Sequence, residues 1–346
     1  MTKRSSSVTI REVAKQARVS VATVSRFINQ NAPVSDELSE RIQQVMDKLN
    51  YVPHAAARQL ATRKTRTIGV LLTNMNSDFF APLFSGIENI SRQNEYNMLV
   101  ATYRPDLRKA YQPPIGPHNA DGLLVFADSL DDDQLVQLCQ RDFPMVLIHR
   151  TPPDGYDIPF VTIENKSAAY KLVEHLIVAH GKRRIVYMRG PENQEDSQWR
   201  EIGYRAALEQ YGLGYREELI LWGEFERETA YAAMNEALMD RNLEFDAVFA
   251  GDDDSAIGVF RALDEVGLRV PEDIAVVGFD DLRLAAYLNP PLTTVRAPTE
   301  EVGRMAAQQL FSLLDGKSSE TVTLLPTEII LRQSCGCAYE NKTVSA

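Results

Sequence analysis

Cysteine is scarce in this chain, with three among 346 residues, too few for a disulfide framework. Cys335 and Cys337 stand two apart near the C-terminal end, without His or Cys neighbours in the sequence at zinc-site spacing. They read as thiols of a reducing compartment. No apolar run approaches the roughly 20 residues that cross a bilayer. Met1 to Ser7 are basic and polar and lack the apolar core of a signal peptide, so the expected location is the cytoplasm. Histidine is rare too: the chain has five, none in a triad or metal-ligand pattern, and no nucleophile elbow is present. These absences weigh against an enzyme, a resident cofactor or a bound metal.

What is there is an ordinary globular composition, 44% hydrophobic and 25% charged, at a length for two or three domains. The net charge of −11 conceals a division. Met1 to Arg66 holds 12 Lys and Arg against 5 Asp and Glu, and the remainder holds 25 against 43. A basic head on an acidic body suits a head that meets phosphate and a body that does not.

In the head, Thr9 precedes Ile10 to Ala17 as an N-cap, with Glu12 three residues on to complete a capping box. Ser20 caps a second helix, Val21 to about Ile28. Ser35 caps a third, which turns Leu38, Ile42, Val45, Met46 and Leu49 to one side. Two helices across a tight turn with a third closing the core make a helix-turn-helix. The second helix is the reader: Val21 and Ala22 face thymine methyls and base edges, and Arg26, one turn on, reaches a guanine or a phosphate. Thr23 and Ser25 suit phosphate contacts. Thr9, Ser20 and Asn29 complete the candidate DNA-contact set in the headpiece. Pro53 to Thr62 is rich in helix formers but too short to hold a helix alone in water. A helix formed only on DNA, beside a partner subunit, fits that segment. Arg63, Lys64 and Arg66 follow as a basic linker.

The runs Thr9-Ile10-Arg11-Glu12-Val13-Ala14, Val19 to Arg26 and Leu49-Asn50-Tyr51-Val52-Pro53 closely resemble the headpiece of the lac repressor family. That resemblance makes Pro53 to Thr62 a hinge helix with Ala57 and Leu60 at its minor-groove positions, Leu60 as the wedge at a central base step. It implies a homodimer on a palindromic operator of double-stranded DNA, with major-groove readers on successive half-sites.

From Thr67 strands alternate with helices. Strands read at Ile68–Leu72, Met98–Ala101, Gly122–Phe126 and Met145–Ile148, then at Arg184–Met188, Leu219–Leu221, Ala247–Ala250 and Ile274–Gly278. Helices read at Phe84–Gln93, Ser167–Ala179, Arg200–Tyr211, Arg227–Met239, Ser255–Val266 and Glu300–Leu314. Two doubly wound α/β lobes follow. A Rossmann enzyme is disfavoured because Asn74-Met75-Asn76-Ser77-Asp78, not a glycine-rich loop, follows the first strand. Arg200-Glu201-Ile202-Gly203-Tyr204, Ala256-Ile257-Gly258, Val277-Gly278-Phe279-Asp280-Asp281 and Pro291 to Arg296 are similar to the same family's core, an architecture shared with periplasmic sugar-binding proteins. The expected fold is therefore an all-α helix-turn-helix headpiece on an α/β, periplasmic-binding-protein-like body. The expected division is 1–52 headpiece, 53–66 hinge and linker, 67–165 first lobe completed by 296–337, 166–295 second lobe, and 338–346 tail.

Ligands of such sheets bind beyond the carboxyl ends of the strands. Asp78, Phe79 and Phe80 follow the first strand, Asp252 and Asp253 the Phe249 strand, and Asp280 the Val277 strand. Phe225 follows the Trp222 strand, and Arg200 opens a helix. The resemblance matches Arg200, Phe225, Asp252 and Asp280 to effector contacts. Carboxylates, a guanidinium and aromatic faces make sugar-recognition chemistry. Phe79 or Phe80 serves equally as core, Asp252 to Asp254 as a solvated turn, and Arg200 as a salt bridge. Stacking phenylalanines leave a nucleobase effector as the rival, with a transport protein or an enzyme further off. Arg104 to Asn119, with Pro105, Pro113, Pro114 and Pro117, departs from the family's longer stretch and bears on the dimer surface. Ala338 to Ala346 carries no leucine heptads for a coiled-coil tetramer.

Overall fold

The computed structural model describes residues 8–29, 32–51, 64–104, 112–241, 243–338 and 342–345. The chain forms two compact units, Met1–Arg66 and Thr67–Ala346. The segment Pro53 to Thr62, with Ala57 and Leu60, lies outside the described residues, as does Pro105.

The first unit has helices α1 (Ile10–Ala17), α2 (Val21–Asn29) and α3 (Asp36–Leu49). Thr9 N donates to Glu12 Oε2 at 2.6 Å, and this bond holds the Glu12 carboxyl below its ordinary range. Ser20 Oγ accepts from Thr23 N at 3.0 Å at the start of α2. Arg18 and Asn50 end α1 and α3 in the left-handed conformation, at φ 54° and 49°. Val13, Ala14, Ala17, Val24, Ile42 and Met46 form a closed core, and Leu38, Val45 and Leu49 are only half-buried.

In the second unit a six-stranded parallel sheet holds β1 (Thr67–Leu72), β2 (Asn97–Thr102), β3 (Gly122–Phe126), β4 (Met145–Ile148), β5 (Phe160–Ile163) and β11 (Val322–Leu325). Its order is β11-β5-β4-β3-β1-β2. A four-stranded parallel sheet has the order β7-β6-β8-β9, from β6 (Ile185–Arg189), β7 (Ile220–Trp222), β8 (Ala247–Ala250) and β9 (Ala275–Val277). The chain returns through β10 (Thr294–Arg296) and helix α10 (Thr299–Leu314), so β11 closes the edge of the first sheet. β10, β12 (Glu328–Leu331) and β13 (Lys342–Ser345) form a small antiparallel sheet. The C-terminal tail thus supplies a strand. Strands covered on both faces need continuous apolar runs, which is why β1, β3, β4 and β8 are buried almost throughout. Among the described residues no helix is long and apolar enough to cross a membrane.

Helix α4 runs over Phe80–Gln93, four residues earlier than the apolar spacing predicts, because Pro82 is tolerated in a first turn. The helix bearing Arg200, α7 (Glu195–Gln210), also starts early, so Arg200 stands in its second turn rather than at its opening. Several elements escaped the sequence reading, namely β5, the C-terminal strands β10 to β13 and helix α5 (Asp132–Cys139). The latter is signalled by a capping box in which Asp131 Oδ1 accepts from Gln134 N at 2.8 Å. The remaining helices are α6 (Asn165–His180), α8 (Arg227–Met239) and α9 (Asp253–Glu265).

Three helix pairs pack backbone against glycine. A Cβ on Gly86 of α4 would stand 2.1 Å from Glu300 O of α10, and one on Gly303 of α10 would stand 2.3 Å from Leu83 O. Gly203 of α7 meets Lys166 O of α6 in the same way, and Gly258 of α9 meets Arg227 O of α8. A methyl at such a contact must part the helices, and overpacking of this kind costs about 1–3 kcal/mol. Gly86→Ala is therefore expected to lower the unfolding free energy by that amount, read as a lower urea midpoint at unchanged slope. An unchanged midpoint would show that α4 and α10 have slack.

Candidate functional site

In the headpiece the start of α2 is an exposed face. Val21 is 42% exposed, although valine at such a position would ordinarily be drawn into a core. Ser20, Ala22 and Arg26 are exposed beside it, while Val24 is fully buried on the opposite side. Thr9 is exposed at the start of α1, and Thr23, Ser25 and Asn29 are half-buried. Ser25 Oγ accepts from Asn29 Nδ2 at 3.1 Å, and the Ser20 and Thr23 hydroxyls lie 2.8 Å apart. A short apolar contact flanked by hydroxyls and one long cation is the chemistry of groove reading with phosphate positioning.

The body brings the carboxyl ends of its two parallel sheets face to face. Ser77 follows β1, Asp128 follows β3 and His149 and Thr151 follow β4, and each of these meets a segment of the second sheet's lobe. Ser77 Oγ donates to Asp254 Oδ2 at 2.7 Å. Thr151 N and Oγ1 donate to Glu195 Oε1 at 2.9 and 2.7 Å. Asn193 and Gln194 donate to the two oxygens of Asp128 at 2.5 and 3.2 Å. An open cleft of about 1450 Å³ borders this seam; its lining is mainly first-lobe, including Thr73, Tyr103, Asp128, His149 and Thr151, with Asn193 and Glu195 among the few residues from the second lobe.

Beside the cleft is a buried polar cluster centred on Arg200, which is 3% exposed. Its Nε donates to Asn165 Oδ1 at 2.9 Å, one terminal nitrogen donates to Gly251 O at 2.6 Å, and the other lies 3.4 Å from Asp280 Oδ1. Its plane covers the Phe279 ring at 3.7 Å, with Phe225 at 5.3 Å. Phe225 fits because Gly190 and Gly251 leave its ring room, and a Cβ on Gly190 would stand 2.2 Å from it. Asp196 accepts from Asn165 Nδ2 at 2.7 Å and faces His149 Nδ1 at 2.9 Å, a contact bent away from hydrogen-bond geometry. Nε2 of His149, a residue buried to 3% exposure, has no hydrogen-bond partner among the described residues. It is a polar atom kept out of water without compensation, at the edge of a cleft.

Burial pushes the Asp280 carboxyl up to about 8 against the pull of Arg200, with Asp252, Asp196 and Asp254 adding to the rise. Asp252 is pushed up to about 6 by burial, although its hydrogen bond from Ser255 N opposes the rise. Burial also works on Asp196, but His149, Arg200 and Asn165 outweigh it and hold that carboxyl below its ordinary value.

Of the eight sequence-predicted effector residues, Arg200, Phe225, Asp252 and Asp280 come together in this cluster. Phe79 is half-buried and sets its ring edge against Phe126, at 5.9 Å, where it can form a wall. Asp78 is exposed beside Ser77. Two expectations need correction. Phe80 packs inside the first lobe's core, because it begins α4 on the face turned to the sheet. Asp253 is fully buried, and its two oxygens accept from Thr294 Oγ1 at 2.7 Å and Leu282 N at 2.8 Å, so it ties the return crossing. None of the eight lines the open cleft itself. His149, Asp128, Thr151, Asn193 and Glu195 escaped the sequence reading, although the first three sit at the same strand ends that pointed to the others. A third correction concerns the thiols. Cys335 and Cys337 do have histidine neighbours, His175 and His180, brought to them by the fold from 160 and 157 residues away.

A carboxyl that keeps its proton in the folded state contributes stability that is complete below its unfolded value and lost as pH rises through the folded one. For Asp280 that window runs from 3.8 to about 8. Stability of the chain is expected to fall across it, and Asp280→Asn should flatten the slope above pH 6, where Asp252 has already titrated. Urea denaturation at stepped pH measures this, and an identical slope in the variant would remove Asp280 as its source.

The chain matches the family model described as bacterial regulatory proteins, lacI family, over residues 9–54, and a periplasmic binding protein-like domain over 173–335. It is 34% identical to the HTH-type transcriptional repressor PurR of Erwinia tasmaniensis across 96% of this chain and 98% of that protein. It is 31% identical to the ribose operon repressor of Haemophilus influenzae across 94% and 98%. Among solved structures, a complex of the transcriptional regulator CelR with cellobiose superposes with TM-score 0.69 at 32% identity, covering 94% of this chain and 99% of that one. The lac repressor dimer bound to operator and the anti-inducer ONPF superposes with TM-score 0.80 at 25% identity, covering 95% and 99%. With its helix-turn-helix headpiece, its paired parallel sheets and this likeness along nearly its full length, the chain belongs to the lacI family of bacterial regulatory proteins.

Proposed function

We propose that this chain is a DNA-binding transcriptional repressor, not an enzyme, that binds a palindromic operator as a homodimer and responds to a sugar or sugar derivative in the cleft between its lobes. The observation that carries the effector reading is the polar seam. Carboxylates of Asp128, Glu195 and Asp254 accept from protein donors across it, and a hydroxylated ligand offers the same donors. His149 Nε2 adds a buried atom still in want of a partner. Relatives named for a ribose operon and for cellobiose support the same class. The division into headpiece 1–52, hinge 53–66, first lobe 67–165 with 296–337, second lobe 166–295 and tail 338–346 is part of this reading.

A ligand acts on DNA affinity only by its differential affinity for two lobe arrangements. Direct cross-lobe bonds stabilise the arrangement described above, and a ligand inserted among them shifts the balance toward whichever arrangement it bridges better. The sign of that shift decides between inducer and corepressor. In the headpiece, Val21, Ala22 and Arg26 read bases, and Thr9, Ser20, Thr23, Ser25 and Asn29 position the phosphates. Ala57 and Leu60 of the hinge enter the minor groove.

Calorimetric titration with pentoses, hexoses, hexuronates, cellobiose and purine bases tests the effector class. Heat with a sugar is expected, weakened at least tenfold, or about 1.4 kcal/mol, in His149→Asn, which the left-handed backbone at φ 58° tolerates. Heat with purines alone overturns the sugar reading. For the head, selection from random duplexes is expected to enrich a palindrome. Arg26→Ala should lose about 1–3 kcal/mol of discrimination at one base of each half-site if it reads guanine. A uniform loss with a shallower salt dependence assigns it to phosphate instead.

A further inference from the structure

We propose that His175, His180, Cys335 and Cys337 form a closed, four-ligand zinc site that fastens the chain after β12 to the end of α6. The donor atoms come from two places far apart in sequence. His175 lies in the last turns of α6 and His180 is its final residue. Cys335 and Cys337 flank a glycine in the turn that follows β12. One donor atom from each residue falls within 4.8 Å of all the others.

The separations suit a metal. Tetrahedral zinc, with Zn–N near 2.0–2.1 Å and Zn–S near 2.3 Å, sets neighbouring donors about 3.3–3.8 Å apart. The two Nε2 atoms lie 3.2 Å apart. Cys337 Sγ is 3.4 Å from both, and Cys335 Sγ is 3.6 Å from His175 Nε2. Hydrogen bonding alone does not account for this convergence. Nε2 of a neutral imidazole carries either one proton or one lone pair, so it serves one partner. His175 Nε2 has three such neighbours, and a single cation at their centre satisfies them together.

The surroundings fit as well. Thr293 Oγ1 lies 3.1 Å from Cys335 Sγ and can donate to a thiolate, as outer-shell groups of metal sites do. Gly336 sits at φ 106°, and a Cβ there would stand 3.0 Å from His180 Nδ1, so the two cysteines are brought onto the histidines by a residue that only glycine fills without strain. Two thiolates and two imidazoles select zinc over hard cations, and four protein ligands leave no open position, which makes the site structural rather than catalytic. The metal would tie the second lobe's first helix to the segment leading into β13, and so hold the C-terminal strand in place.

The test uses the full-length protein, reduced and freed of metal by chelation under anaerobic conditions, then titrated with cobalt(II) and separately with zinc(II). The expected result is one metal per chain, with intense tetrahedral d–d absorption and a thiolate-to-cobalt charge-transfer band that zinc abolishes by displacement. Cys337→Ser, at a partly exposed position, should lose the charge-transfer intensity or weaken zinc binding at least tenfold while operator selection remains intact as proof of folding. His180→Gln should weaken binding likewise. Less than about a tenth of an equivalent bound by wild-type protein overturns the site, as does an octahedral cobalt spectrum without thiolate bands or uptake undiminished in both variants.

Discussion

A guanidinium taken out of water must be met on every side, and Arg200 organises the body around that requirement. Its partners come from the start of α6, the loop after β8, the loop after β9 and its own helix, with Phe279 beneath its plane. Removing any partner leaves charge buried without compensation, which is far costlier than the pair is stabilising. The cluster therefore fixes where the strand ends of the second lobe lie. Through Asp196 it reaches His149 at the end of β4 in the first lobe. The polar seam and the cleft beside it inherit their geometry from this one buried ion.

The same economy explains the helices. Gly86, Gly303, Gly203 and Gly258 each let a backbone carbonyl of the neighbouring helix approach closely, so paired helices pack backbone to backbone. Units so packed shift as blocks rather than deform, and this makes a seam of direct, exchangeable hydrogen bonds a suitable place for a ligand to act. Raised carboxyls at Asp252 and Asp280 belong to the same picture: several acids share one guanidinium, and burial disfavours charging them all.

Much of this was legible in the sequence. Continuous apolar runs announced the parallel strands, and spacings of three and four announced the helices, because those periods arise from backbone geometry alone. Where reading failed, local signals were weak or overruled. Phe160–Ile163 is a short strand among loops, Pro82 masked the first turn of α4, and Asp131 with Gln134 was a capping box passed over. Of the site, Arg200, Asp252, Asp280 and Phe225 stood out in the chain, but Asp253 and Phe80 looked the same as they did and went to structural duties.

By itself the sequence determined the helices of the headpiece and the two α/β halves of the body, since each depends on residues within a turn or a strand of one another, and the charge division between head and body, which is a matter of composition alone. Tertiary structure alone decided which carboxylates face the cleft, that His149 meets Asp196, and that two cysteines near the C-terminal end meet two histidines some 160 residues away. Those are pairings between segments remote in the chain. Which of several chemically equal side chains is taken up by the protein's own donors depends on where the sheets and their crossings bring it.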